Sequence, residues 1–255
     1  MKRILSGPHA VSEALRTAPG AIDVICVAET MRPTSVKRIE DLARRARVSL
    51  ETIPKSALDE ISKDINHQGV IAITGSYPYL DLDGLLAVTK KEIAPLIVML
   101  DQVQDPRNLG AIMRSAHAFG ASGIIIPKDR SARVTAAAVR TSAGASELIR
   151  TVRVTNLVRC LDHLRSEGFQ VFGAAVKEDT KLESLSWQDR CVLVLGNEGR
   201  GLRRLTAQHC DKLFRIPLAS DFDSLNVSAA AAIALYEAAR QRFTDEPVSP
   251  PDING

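Results

Sequence analysis

Apolar residues along this chain fall into two rhythms. Continuous apolar runs at Ile22–Ala28, Val70–Thr74, Leu96–Leu100, 123–126, 171–175, Cys191–Leu195 and 213–216 predict buried strands. Helical spacing marks 9–16 and 33–47; in the latter Val36, Ile39, Ala43 and Ala46 form one apolar face and Pro33 suits the first turn. Residues 48–53 alternate as a strand, and short helices are predicted at 57–61 and 85–88. Strand and helix alternate throughout, so the predicted class is α/β, with a parallel sheet in the second part.

The same pattern divides the chain. Residues 1–76 read as a compact α/β domain, 77–95 as a linker carrying Pro78, Gly84 and Pro95, 96–243 as a second domain, and 244–255 as a flexible tail.

Composition narrows the picture. Of 255 residues, 45% are hydrophobic and 25% charged, as in globular proteins, and the net charge is +3, which permits nucleic-acid binding without demanding it. At 4% aromatic, the chain has little for stacking on bases, so any RNA contact is expected to be electrostatic. Candidate basic patches are Lys37, Arg38, Arg44 and Arg45; Lys128, Arg130, Arg133 and Arg140; and Arg200, Arg203 and Arg204. No membrane-length apolar run is present, and the stretch behind Met1-Lys2-Arg3 is too short for a signal peptide, so a cytoplasmic location is expected. The four cysteines, Cys26, Cys160, Cys191 and Cys210, form no metal-type pair and read as buried reduced thiols. The five histidines lack ligand spacing, and no metal is expected. His117, one turn beyond Arg114, reads as a packed or solvent-facing residue rather than a proton acceptor.

Three segments carry the candidate chemistry. After the central apolar run, Asp105-Pro106 signals a helix start, and Asn108 and Arg114 follow where the carboxyl edge of a parallel sheet forms a crevice. The second segment, Leu195 to Leu202, has glycines at 196, 199 and 201. Their order, G-x-x-G-x-G, differs from the dinucleotide fingerprint and argues against an oxidoreductase. In the third segment, Ser224 is an N-cap candidate with Asn226 in the first turn of an alanine-rich helix. Ala229 to Ala232, Ala234, Ala238 and Ala239 suit either a helix core or a dimer contact.

These segments, Asn-Leu-Gly-Ala-Ile-Met-Arg at 108–114, Leu-Gly-Asn-Glu-Gly-Arg-Gly at 195–201, and Ile-Pro-Leu at 216–218 with Ser-Leu-Asn-Val-Ser at 224–228, resemble in order the motifs of the SpoU (TrmH) branch of the SPOUT methyltransferases. The resemblance extends from Leu5 to Arg242, and is closer still to the bacterial enzymes that methylate a guanosine ribose in the peptidyl-transferase loop of 23S rRNA. It implies a trefoil-knotted catalytic domain, an N-terminal RNA-binding domain like a small ribosomal protein, S-adenosyl-L-methionine as cofactor, RNA as substrate, and a homodimer. Matching positions imply a cofactor site at Leu195, Gly196, Ile216 and Leu225, and a catalytic set of Asn108, Arg114, Glu198, Ser224 and Asn226. The family assigns Arg114 to the 2′-hydroxyl. A guanidinium stays protonated in water, so we read it as a clamp on the developing alkoxide and a neighbouring phosphate rather than as a base. One departure stands out: where relatives carry small uncharged residues, this chain has Asp221 and Asp223. The rival readings are a transfer-RNA or other ribosomal-RNA methyltransferase, and a non-catalytic RNA-binding assembly factor.

Overall fold

The computed structural model describes residues 3–62, 66–176, 178–219 and 224–242. The loop at 220–223, with its two aspartates, and the expected tail at 244–255 lie outside the described residues.

The first sheet contains β1 (Arg3–Ser6), β2 (Ile22–Ala28), β3 (Leu50–Ile53) and β4 (Val70–Thr74) in the order β1-β4-β2-β3. β4 runs antiparallel to both β1 and β2, and β3 lies parallel to β2. Around it lie α1 (Pro8–Thr17), α2 (Pro33–Ala46) and α3 (Lys55–Ser62). α2 begins at Pro33, whose missing N–H costs nothing in a first turn, and ends where Arg47 turns left-handed at φ 56°. Its buried residues are Ile39 and Ala43, on the face expected from the spacing.

The second sheet has six strands, all parallel: β5 (Leu96–Leu100), β6 (Gly123–Pro127), β7 (Thr151–Val154), β8 (Gln170–Ala174), β9 (Cys191–Leu195) and β10 (Lys212–Phe214), ordered β10-β8-β9-β5-β6-β7. Along β5, Leu96, Val98 and Leu100 join one apolar cluster, while Ile97 and Met99 join another on the opposite face. The first cluster takes in α5 (Pro106–Ala118), α6 (Ala136–Ser142) and α9 (Val227–Arg242). The second takes in α4 (Leu82–Thr89) and α7 (Leu157–Ser166). Cover on both faces is why β5, β6 and β9 read as unbroken apolar runs. A short α8 (Arg204–Gln208) precedes β10.

Two elements go beyond the sequence expectation. β1 is a four-residue strand between charged and polar ends, and β7 is an edge strand flanked by Arg150 and interrupted by Arg153, so neither shows a clean apolar run.

The stretch read as a linker is packed rather than free. Leu80 bridges to Val152 beside β7, and Leu85 and Leu86 of α4 are buried against the second sheet. The first apolar cluster also runs on into Leu5, Val11 and Ile25 of the first sheet's layer. At that junction Arg3 makes a bidentate pair with Glu147, at 2.8 and 3.0 Å, and lies over the Tyr77 ring at 5.0 Å. The Tyr77 hydroxyl donates to the Ser146 carbonyl at 2.8 Å.

The alanines of α9 divide. Ala231, Ala234, Ala238 and Ala239 are buried in the chain's own core, where α9 lies against α5, which resolves them as helix-core residues. Ile233 and Tyr236 face outward, and the Tyr236 ring meets Phe119 edge-on at 6.0 Å. No helix among the described residues is long and apolar enough to cross a membrane.

Candidate active site

Because all strands of the second sheet are parallel, the loops after β5, β9 and β10 gather at one edge. β9 lies directly beside β5, so the first two motif segments become neighbours. Asp105 caps α5 by accepting the Arg107 amide at 2.7 Å, with Pro106 in the first turn, as the sequence predicts. This places Asn108 near the helix start, where its amide donates to the Glu198 carboxylate on the loop after β9. Asn226 donates to the Asn108 side-chain oxygen at 3.2 Å. Three segments distant in sequence thus meet in one string of hydrogen bonds, Asn226 to Asn108 to Glu198.

At the start of α9 the sequence expectation needs correcting. Asn226, not Ser224, caps this helix: its side-chain oxygen accepts the Ser228 amide at 2.9 Å, and its carbonyl accepts the Ala230 amide at 2.9 Å. The helix begins at Val227, so Ser224 lies too far upstream to satisfy the first free amides. Ser228 adds a hydroxyl bond to Asn226 at 2.6 Å. Ser224 is exposed and takes no part in this string.

Arg114 lies six residues further along α5 than Asn108, about 1.7 turns. Its side chain is exposed and makes no hydrogen bond or ion pair with the described residues. Its guanidinium is therefore available to an incoming anion. His117 is also exposed.

The glycine segment after β9 folds back on itself. Asn197 and Gly201 exchange main-chain bonds of 3.0 and 2.8 Å, and Asn197 turns its side-chain oxygen onto the amides of Gly199 and Arg200. A β-carbon on Gly196 would lie 2.2 Å from the Gly201 carbonyl carbon, so this position has room only for hydrogen. Leu195 is 1% exposed, and Ile216 packs against the same apolar cluster. Leu225 is half-buried just ahead of the Asn226 cap. The main-chain amides of Ile216, Leu218 and Leu225 have no partner among the described residues.

Asp101, Gln102 and Asn197 lie beside or within the motif segments, but sequence reasoning gave them no role. Asp101 closes β5 with no exposed surface and is tied to Arg203 beyond the glycine loop. A lone aspartate after a strand carries no signal in sequence, because its partner sits far along the chain and is brought near only by the pairing of β5 with β9.

Of the basic patches, the α2 group is exposed but not free of acids: Glu40 and Asp41 lie between its cations in sequence, and Arg44 pairs with Asp41 at 3.9 Å. Lys128, Arg130, Arg133 and Arg140 are all exposed. In the third patch Arg203 is committed to Asp101, which leaves Arg200 and Arg204. No thiol is suited to nucleophilic chemistry. Burial pushes Cys160 and Cys210 up to about 12 and Cys191 to about 11, so all three stay protonated at neutral pH. No cluster of metal-ligating side chains occurs among the described residues.

Comparison with known proteins adds to this geometry. The model of the SpoU rRNA Methylase family matches residues 95–236, and that of the RNA 2′-O ribose methyltransferase substrate-binding family matches residues 4–80. The chain is 39% identical over 240 residues to the 23S rRNA (guanosine-2′-O-)-methyltransferase RlmB of Xanthomonas campestris pv. campestris, covering 93% of this chain and 96% of that protein. It is 40% identical over 242 residues to the protein of the same name from Coxiella burnetii, covering 94% and 96%. Among solved structures, the SpoU methyltransferase AviRb from Streptomyces viridochromogenes in complex with the cofactor AdoMet superposes with a TM-score of 0.81 at 26% identity, covering 94% of this chain and 90% of that one.

Proposed function

The chain belongs to the SpoU rRNA Methylase family, and from that membership we propose that it transfers a methyl group from S-adenosyl-L-methionine to the ribose 2′-hydroxyl of a guanosine in 23S rRNA. The observation that carries this reading is the string Asn226–Asn108–Glu198, which joins the three motif segments at the start of α5, the helix that also carries Arg114, whose guanidinium is unpaired among the described residues. The peptidyl-transferase loop is the target region to which the sequence resemblance points.

The residues present fit such a cofactor. Gly196 keeps the loop after β9 tight, Leu195, Ile216 and Leu225 offer apolar side chains, and the amides of Ile216, Leu218 and Leu225 have no acceptor among the described residues. When bound, the cofactor supplies a methyl already activated on a sulfonium, so the protein need not create an electrophile. The chain's own task is to hold the ribose oxygen in line and to stabilise the charge that grows on it. Arg114 meets that charge and an adjoining phosphate. Asn108, fixed from both sides by Glu198 and Asn226, keeps the floor of the site in place. Ser224, exposed and free of the string, would contact the RNA side.

Residues 1–76 would grip the RNA and 96–243 would perform transfer, with 77–95 connecting them; the match of residues 4–80 to a substrate-binding family supports this division. A trefoil knot in the second part is part of the same proposal, and it rests on membership of the SpoU rRNA Methylase family. We propose a homodimer through the outward face of α9, on Ile233 and Tyr236.

Mapping 2′-O-methyl groups in 23S rRNA with and without the gene tests the reading; an unchanged map would overturn it. Two narrower outcomes are expected. Gly196→Ala should weaken cofactor binding at least about tenfold, roughly 1.4 kcal/mol, because the new carbon meets only main-chain atoms that cannot yield. Unaltered affinity by calorimetric titration would refute the placement of the cofactor against this loop. RNA affinity should also fall on the order of fiftyfold for a fourfold rise in salt, if about four phosphates are neutralised. A flat salt response in filter binding would remove the basic patches from the interface.

A further inference from the structure

We propose that Asp101 and Arg203 are positioning residues that hold the 196–203 loop in the shape that receives the cofactor; the inference rests on the methyltransferase reading above. Asp101 has no exposed surface, and a carboxylate so placed is costly unless its charge and both oxygens are satisfied. Here both are satisfied by one residue. The Arg203 amide donates to Oδ2 at 2.9 Å, and its Nε donates to Oδ1 at 2.7 Å. The next residue, Gln102, is left-handed at φ 64° and turns its carbonyl to accept Asn197 Nδ2 at 3.2 Å. The Asp101 amide donates to the Leu195 carbonyl at 2.7 Å. Two consecutive residues at the end of β5 therefore tie down the loop at its entry, at Asn197 and at its exit.

This arrangement assigns Arg203 a role different from that of its exposed neighbours. Its side chain is 47% exposed, enough to resemble an RNA contact, yet its Nε is already spent on a fully buried acid. The strand ladder and the apolar core on either face of β5 do not call for a carboxylate at position 101; the loop does. Arg203 should then govern cofactor affinity, while Arg200 and Arg204 remain free for phosphate.

The test uses the purified full-length chain and the variants Asp101→Asn, Arg203→Ala and Arg203→Lys. S-adenosyl-L-methionine titration, RNA filter binding, steady-state kinetics and amide hydrogen exchange are measured on each. Arg203→Ala is expected to weaken cofactor binding at least about tenfold and to raise KM for the cofactor to match. Its kcat at saturating cofactor and its RNA affinity should stay within about threefold of wild type. Exchange at Gly199 and Arg200 should quicken in the cofactor-free protein. Arg203→Lys, which keeps the charge and the main-chain bond, should recover part of the loss. Asp101→Asn should resemble Arg203→Ala; if it fails to fold, Arg203→Ala decides alone, since it leaves the main-chain bond to Asp101 intact. Wild-type cofactor affinity in Arg203→Ala, or a loss confined to RNA affinity, overturns the positioning role alone. A wild-type chain that binds no S-adenosyl-L-methionine overturns the methyltransferase reading, and the positioning role with it.

Discussion

Arg114→Ala is expected to lower the rate of methyl transfer by about 10²–10³-fold while leaving cofactor affinity within about threefold of wild type. That magnitude is typical for removing one preorganised donor from a site of developing negative charge. Arg114 lies on α5, whose start is fixed by the Asp105 cap and whose inner face buries Leu109, Ile112, Met113 and Ala116. Its backbone is thus held by the core while its side chain stays exposed. No carboxylate among the described residues pairs with it, so its positive charge is not already neutralised. The variant should keep its fold, because nothing in the core rests on the side chain. Arg114→Lys should recover only part of the activity, since an ammonium cannot present the planar fork that grips two oxygens at once. Single-turnover transfer of a labelled methyl, run beside a cofactor titration, separates chemistry from binding. Turnover at the wild-type rate in Arg114→Ala would remove this residue from the mechanism.

Glu147→Ala should destabilise the chain by about 3–5 kcal/mol, the usual cost of leaving one member of a buried ion pair without its partner. The side chains of Arg3 and Glu147 are 7% and 2% exposed, and their paired bonds join β1 to the short turn Ala145–Glu147. Arg3 Nε is also bound to the Thr74 hydroxyl at 3.2 Å, so the stranded guanidinium could not swing out to water without breaking further contacts. The double variant Arg3→Met with Glu147→Leu should be markedly more stable than Glu147→Ala, because no charge is left buried. Urea unfolding at neutral pH measures both. A loss below about 1 kcal/mol for Glu147→Ala would place the pair among the weak surface bridges and leave the joint between the sheets to apolar packing.

Much of the secondary structure is legible along the chain because the physics behind it is local. The run Leu96–Leu100 is apolar at every position, as only a strand covered on both faces requires, and Asp105-Pro106 announces a helix that the structure starts at that point. What escapes is of two kinds. Short edge elements such as β7 span only four residues and are interrupted by a charge, here Arg153, so no clean apolar run marks them. Partnerships across the fold, Arg3 with Glu147 and Asp101 with Arg203, join residues that nothing in the local pattern links. The Ser224 cap shows a third limit. Serine and asparagine cap helices equally well, and which one does so depends on where Val227 begins to pack into the core.

The order of residues alone indicated an α/β chain, singled out three candidate segments for its chemistry, and showed that those segments resemble one methyltransferase family. Apolar periodicity and short motifs suffice for that, since each is read within a few neighbouring positions. Strand order was settled only in three dimensions. Counted from β7, the sheet runs β7-β6-β5-β9-β8-β10, with β9 next to β5 where an ordinary dinucleotide-binding sheet would place β8. β9 is buried and apolar throughout, while β8 begins on an exposed Gln170 but is buried at Val171–Gly173, a local difference that does not fix which of them lies beside β5. Long-range packing decides between them, and because β9 takes that place, the loop at 196–203 comes to rest on Asp101 and Glu198 comes within reach of Asn108.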